Sequence, residues 1–207
     1  MKGTGKVAQA MRSIAEQKAE LRKAIRQRVR EMAPEAAESS NEAVCRRVLE
    51  HLDEYLQAKT LFCFVGTNTE IDTAPIILHA LNAGKTVAVP LCTEPGIMEA
   101  RGIARMDDLS PGAYGILEPG ERCEVIEPDR IDLAIVPCVS CDRGGGRLGR
   151  GSGFYDRFLD GRAFPAVALC REALMVESVP LEPWDLPVDA VVTENNIYRC
   201  RSNTAEK

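Results

Sequence analysis

Five short stretches, TLFCFVG (60–66), TVAVPL (86–91), DLAIVPC (132–138), FPAVALC (164–170) and VDAVVTE (188–194), are predominantly apolar, and they constrain the fold more than any other feature. They are short for buried helices and too uniformly apolar for strands with one wet face, so they predict strands covered on both sides. The intervening segments supply the covers. TAPIILHALNAG (73–84) reads as a helix closed by Gly84, and FYDRFLDG (154–161) as a short helix ending at Gly161. Ahead of the first strand, KAELRKAIRQRVREM places Leu21, Ile25, Val29 and Met32 at helical spacing over 18–32, with Pro34 as the breaker. A second helix is expected from Ser39, which with Glu42 has capping-box form ahead of Val44, Val48, Leu52 and Tyr55. The stretch containing IMEAR (97–101) and LSPGAYGILEPGE (109–121) is less regular.

Strands alternating with helices predict one α/β domain over residues 1–207, with a mostly parallel or mixed sheet, helices on both faces and an N-terminal helical extension. Residues 1–16 are expected to be frayed and 200–207 to form a tail. No apolar run approaches the roughly 20 residues of a membrane helix, and the N-terminus lacks the apolar core of a secretory signal, so a cytoplasmic protein with no membrane partner is expected. The eight cysteines are then free thiols. A net charge of -5 argues against a nucleic-acid partner and makes any local concentration of positive charge notable.

That concentration lies at GGGRLGRGSGFYDRFLDGR (144–162), which holds seven glycines and four arginines directly after a strand. In an open α/β sheet this place, beyond the carboxyl end of a strand, is where ligands bind. Glycine lets backbone N–H groups turn toward an anion, and Arg147 and Arg150 add mobile positive charge, so phosphate is the natural ligand. Asp156, in the first turn of the following helix, either complements the helix dipole or holds Mg²⁺ beside the phosphates. GGGRLG formally satisfies G-x-G-x-x-G but does not open the crossover helix directly, and no Gly-Lys-Ser/Thr triplet is present. A plain flexible turn remains open and leaves the arginines unexplained. On composition, Lys18, Arg22 and Arg26, spaced four apart, read as a solvated basic stripe.

RLGRGSGFYDRFL (147–159) is similar to the signature of the 5-formyltetrahydrofolate cyclo-ligase family, also called methenyltetrahydrofolate synthetases, whose usual form is R-L-G-x-G-x-G-[YF]-Y-D. Further matches follow in order. Lys18, Leu21 and Arg22 resemble the family's K-x-x-L-R, TEIDT its E-[VI]-x-T and YGILEP its G-I-x-E-P, while PCVSCDRGGGRLG resembles P-G-x-x-F-D-x-x-G-x-R-L-G. VPLEPWDLPVDAVVTE resembles the closing P-x-x-x-x-D, V-D and T-E, so the likeness runs from residue 18 to 194.

The resemblance implies an enzyme that closes 5-formyltetrahydrofolate to 5,10-methenyltetrahydrofolate with ATP as co-substrate and Mg²⁺, releasing ADP and phosphate. Phosphoryl transfer to the formyl oxygen would precede attack by a neighbouring folate nitrogen and loss of phosphate. Carried over by position, Lys18, Arg22, Arg147, Gly149, Arg150, Gly151, Ser152, Gly153, Phe154 and Tyr155 would bind ATP. Val65, Glu70, Tyr114, Arg150, Gly151, Ser152, Gly153 and Phe154 would bind the folate, with Phe64 and Tyr155 as further pocket walls. Arg150 and Tyr155 would be catalytic, and Asp156 and Asp185 would hold the metal. Lys18 and Arg22 become phosphate contacts in this reading, and Arg26 stays a surface charge. The chain would act as a monomer on the free or polyglutamylated folate.

The chain departs from the family pattern in three places. Cys138 and Cys141 replace glycine and phenylalanine and create a C-x-x-C, which reads as half a zinc site, a redox pair or, as its scattered companions favour, two buried thiols. VALCREALMVESVP lacks the aromatic residue and glutamine that often follow this strand, and Ser152 stands where glycine or lysine is usual. Two other readings stay open here: a non-catalytic member of the fold that binds nucleotide or folate, and a dinucleotide-binding oxidoreductase.

Overall fold

A computed structural model of the chain describes residues 12–112 and 115–200. Seven strands form one sheet: β1 (Thr60–Cys63), β2 (Thr86–Glu94), β3 (Ile97–Ile103), β6 (Leu133–Val136), β9 (Ala166–Leu169), β10 (Ala190–Val192) and β11 (Ile197–Arg199), in the order β11-β10-β9-β6-β1-β2-β3. Two small antiparallel pairs stand apart from it, β4 (Leu109–Pro111) with β5 (Leu117–Pro119), and β7 (Ser140–Cys141) with β8 (Arg147–Leu148). The five central strands, β10, β9, β6, β1 and β2, pair in parallel, whereas the edges β3 and β11 are antiparallel. The sheet is therefore mixed and mostly parallel, as expected. The irregular IMEAR stretch supplies the antiparallel edge strand β3.

Alternate side chains of the central strands enter different cores. Leu61, Cys63, Val87, Val89, Leu133, Ile135, Val167 and Leu169 join Val44 and Val48 of α2 (Pro34–His51), Tyr55 of α3 (Asp53–Gln57) and Ile76 and Ile77 of α4 (Ala74–Asn82). On the other face Phe62, Ala88, Ala134, Ala166 and Ala168 meet Ile25 of α1 (Ile14–Glu31) and Leu159 of α5 (Phe154–Leu159). Four alanines on that face leave room for the aromatic rings of α5: Phe62 stacks on Phe158 with ring centroids 4.5 Å apart, and Phe158 meets Phe164 at 6.3 Å. The N-terminal helical segment is part of the core, because Ile25 is buried and Leu21, Val29 and Met32 pack beside it.

Two helix starts differ from the sequence expectation. Helix α1 begins at Ile14, where the Ser13 side chain and Glu16 form a reciprocal cap, so residues 14–16 are helical rather than frayed. Helix α2 begins at Pro34, not at Ser39. Proline lacks an N–H and has a preset φ, so at the first helical position it starts a helix as readily as it stops the one before. Ser40, inside α2, is buried. Among the described residues no helix is long and apolar enough to cross a membrane.

The strand order places the site. From β1 the chain crosses through α4 to β2 on one side, and the later strands β6, β9 and β10 build outward on the other, so the order reverses between β1 and β6. A crevice opens at such a reversal, beyond the carboxyl ends of the two strands. Phe62 is fully buried and meets the Tyr155 and Phe158 rings of α5, so Phe62→Ala should lower unfolding stability by about 3–5 kcal/mol in a denaturant titration.

Candidate active site

The glycine-rich segment is two structures rather than one loop. Residues 142–146 turn the small hairpin between β7 and β8, and residues 149–153 then lead into α5. Asp142 organises the first part. Its buried carboxylate accepts hydrogen bonds from the backbone N–H groups of Gly144 (2.8 Å), Gly146 (2.9 Å) and Val179 (2.8 Å), tying the turn to the segment after β9. Gly145 has φ 91°, and a Cβ there would lie 2.4 Å from the Val188 carbonyl oxygen; one on Gly146 would lie 2.4 Å from the Asp142 carboxylate. These glycines serve packing, which removes the G-x-G-x-x-G reading: β8 and five more residues separate them from α5. An aspartate placed just before glycines is an Asx-turn signal, and it marks Asp142 in the sequence even without a catalytic motif.

The second part faces the crevice. Gly151 and Gly153 adopt φ 111° and 67°, conformations that glycine reaches without strain. Arg22 of α1 donates through Nε to the Gly149 carbonyl at 2.8 Å, and its guanidinium lies 3.5 Å from where a Gly151 Cβ would stand. Partial burial lowers the Arg22 pKa from its usual value. Lys18, one turn earlier on α1, forms an ion pair with Asp185. The helix expected from periodicity alone thus brings Arg22 to the loop and Lys18 to Asp185, while Arg26 is exposed.

Arg147 and Arg150 are divided by environment. The Arg147 side chain is 2% exposed, pairs with Asp156 at 2.7 Å and lies 5.9 Å from the centre of the Tyr155 ring. Arg150 is half exposed; its guanidinium donates to the Thr67 hydroxyl at 2.7 Å and lies 3.1 Å from Glu70 Oε1. Glu70 sits in the loop after β1, where its Oε2 accepts from the Thr67 N–H (3.2 Å) and hydroxyl (2.8 Å). Behind that turn the buried Arg171 donates to Asn41 Oδ1 (2.7 Å) and to the carbonyls of Glu70 (2.9 Å) and Thr69 (3.3 Å). Burial lowers the Arg171 pKa from its usual value. Arg171 and Asn41 escaped the sequence reading because their partners lie far away in the chain, and Thr67 because it acts by holding Glu70 and Arg150.

The 182–186 turn carries Asp185 and touches Asp156. Asp156 Oδ1 accepts from Arg147 and, at 3.5 Å, from the Leu186 N–H, and Asp185 Oδ2 accepts from Lys18 and, at 2.5 Å, from the Glu182 N–H. In each carboxylate the other oxygen takes no part in these bonds. Trp184, beside Asp185, is 69% exposed.

The remaining site candidates distribute as follows. Ser152 is exposed, and its carbonyl accepts from Arg157 at 2.6 Å; Arg157 also reaches the Gly96 carbonyl at 2.7 Å and lies over Phe154. Tyr155 is partly covered, and burial raises its pKa, with the Glu70 carboxylate adding to the effect, so the hydroxyl stays protonated at neutral pH. Phe64 and Val65 lie in the core cluster below the crevice. Tyr114 lies outside the described residues.

Below the hairpin three thiols meet. Cys138 and Cys141 Sγ are 3.1 Å apart, and Cys170, immediately after β9, joins them so that all three sulfurs lie within 4.8 Å of one another. The C-x-x-C pair therefore has a third thiol near it that no sequence spacing marks. Hydrogen bonds from the other two sulfurs lower the Cys170 pKa below the ordinary thiol value, and contacts with Cys138 and then Cys170 raise that of Cys141.

Gly145→Ala should lower stability by about 2 kcal/mol or more, since it combines a left-handed φ with a backbone clash, while Gly84→Ala, with φ 74° but open space around it, should lose less; thermal melts of the two variants check the order.

The sequence matches the 5-formyltetrahydrofolate cyclo-ligase family over residues 14–194. It is 33% identical over 150 residues to the 5-formyltetrahydrofolate cyclo-ligase of Escherichia coli K12, covering 69% of this chain and 82% of that protein. It is 32% identical over 225 aligned positions to the mitochondrial 5-formyltetrahydrofolate cyclo-ligase of Arabidopsis thaliana, covering 95% and 81%. The 5,10-methenyltetrahydrofolate synthetase of Aquifex aeolicus superposes with a TM-score of 0.79 at 30% identity, over 92% of this chain and 96% of that one.

Proposed function

The chain belongs to the 5-formyltetrahydrofolate cyclo-ligase family, and from that premise we propose how its crevice closes 5-formyltetrahydrofolate to 5,10-methenyltetrahydrofolate with ATP and Mg²⁺. Arg150 carries the reading. Its guanidinium extends from the glycine loop to Thr67 and Glu70, so one cation touches both the loop assigned to phosphate and the carboxylate assigned to folate. Phosphoryl transfer calls for positioning and charge neutralisation, not a protein nucleophile. The crevice offers guanidinium groups, an ammonium group and glycine-rich backbone for that task.

In this reading ATP lies along the 149–153 segment, with Lys18 and Arg22 reaching its phosphates from α1. Arg147, held by Asp156, keeps the base of the loop rigid and positive. Glu70 accepts hydrogen bonds from the amino and ring N–H groups of the pteridine, and Thr67 and Arg171 hold it in place. Arg150 then sits where the γ-phosphate and the formyl oxygen must meet, and stabilises the charge that develops as phosphate moves between them. The neighbouring folate nitrogen attacks the activated formyl carbon, and phosphate leaves. Tyr155, protonated, can donate a hydrogen bond but not take up a proton.

Asp156 and Asp185 fit a magnesium site in donor type, because Mg²⁺ is usually held by one or two carboxylates together with phosphates. The ion would neutralise phosphate charge. Lys18 and Arg147 now occupy one oxygen of each carboxylate and would share them with the metal. We read the protein as a monomer acting on the free or polyglutamylated folate; a cytoplasmic setting is supported by its eight free thiols. The oxidoreductase reading lacks its motif, since Gly144 and Gly146 belong to the hairpin turn.

Arg150→Ala should leave the fold intact and lower kcat/KM at least about 100-fold, read from the rising absorbance of the methenyl product; an unchanged rate would refute the assignment. Asp156→Asn should require a higher Mg²⁺ concentration for half-maximal turnover. Fluorescence of Trp184, the single tryptophan, should report ATP binding in the same variant, and an unchanged Mg²⁺ dependence would remove Asp156 from the metal.

A further inference from the structure

We propose that Cys138, Cys141 and Cys170 form a binding site for a single Cu⁺ ion, separate from the crevice chemistry. Neighbouring parallel strands bring the ligands together. Cys138 follows β6, Cys141 ends β7 and Cys170 follows β9, and β6 pairs directly with β9. A thiolate–metal bond is about 2.3 Å long, so three sulfurs on one cation span no more than about 4.6 Å. The thiols already lie within 4.8 Å of one another. Cys141 and Cys170 are 0% and 3% exposed, whereas Cys138 is only partly covered and gives an ion its way in.

The ligand set favours copper. Among the described residues no histidine, aspartate or glutamate joins the three thiols, while structural zinc sites almost always take four ligands. Three soft sulfurs with no fourth partner suit monovalent copper. Binding releases the protons that the thiols still carry, since the metal is held by thiolates. The resulting group carries two negative charges, and two buried guanidiniums stand within electrostatic reach of it: Arg147 acts on Cys138, and Arg171 on Cys138 and Cys170. The Nε of each of these arginines is buried and has no hydrogen-bond partner. Both are thus placed to offset the negative charge that three thiolates bring to the group.

Apoprotein reduced with a phosphine, free of oxygen, should be titrated with Cu⁺ against a colorimetric Cu⁺ chelator. One ion per chain is expected, with affinity at least about 100-fold lower in Cys170→Ser and Cys138→Ser and unchanged in Cys92→Ser, whose thiol is exposed elsewhere. X-ray absorption on the wild-type complex should show three sulfur neighbours, which decides the question even where a variant misfolds. Failure to bind one equivalent, two sulfur neighbours only, unchanged affinity in both variants, or displacement of Cu⁺ by an equal concentration of Zn²⁺ would each overturn the proposal. So would a Cys138–Cys141 disulfide that forms in air in a protein that takes up no copper when reduced.

Discussion

Burial of the sheet on both faces governs the rest of the molecule. The side chains of β6, β9 and β10 are all buried, and so are those of β1 except Thr60 at its start, so no polar chemistry can be placed along the strands themselves. It is displaced to the carboxyl ends, where the chain leaves the sheet and its N–H and C=O groups need new partners. The reversal of strand order between β1 and β6 then decides which ends lie side by side. Glu70 leaves β1, the hairpin and glycine loop leave β6, and Arg171 leaves β9. Three loops far apart in sequence meet in one place because three strands are neighbours.

Two buried polar groups convert that proximity into geometry. Asp142 satisfies three backbone N–H groups with one carboxylate and so locks the hairpin against the segment after β9. Arg171 does the reverse, one guanidinium satisfying two carbonyls and an amide oxygen, and fixes the turn that holds Glu70. Neither touches the crevice. A charged group taken out of water is costly unless it is hydrogen-bonded, and a side chain that satisfies several partners leaves those partners little freedom. Charge pairs then join the elements across the crevice: Lys18 with Asp185, Arg147 with Asp156 and Arg150 with Glu70.

Much of the fold was legible in the residues, because short uniform apolar runs and helical spacing are local signals of burial. The misreadings were local ambiguities. Pro34 both ends α1 and opens α2, since a missing N–H is equally suited to either role. The Ser39 and Glu42 pair has the form of a cap yet lies within a helix that had already begun. The glycine segment read as one loop became a turn and a loop, because a two-residue strand such as Arg147–Leu148 leaves no periodicity to detect. At the site, the loop, Glu70, Lys18, Arg22 and the aspartates could be named from the ordered family motifs. Arg171, Thr67 and Asn41 could not, because they act by holding other residues.

By itself the sequence determined the element types, the two-faced burial of the central strands and the concentration of cationic, glycine-rich chain after β6. These follow from side-chain polarity and backbone freedom, which each residue carries with it. Only the tertiary structure decided which charges pair, that Arg147 is buried while Arg150 reaches across to Glu70, and that Cys170 completes a group begun by Cys138 and Cys141. Those outcomes depend on strand order. A strand's neighbour is chosen by packing over the whole sheet, so residues 30 or 80 positions apart become partners for a reason that neither one contains.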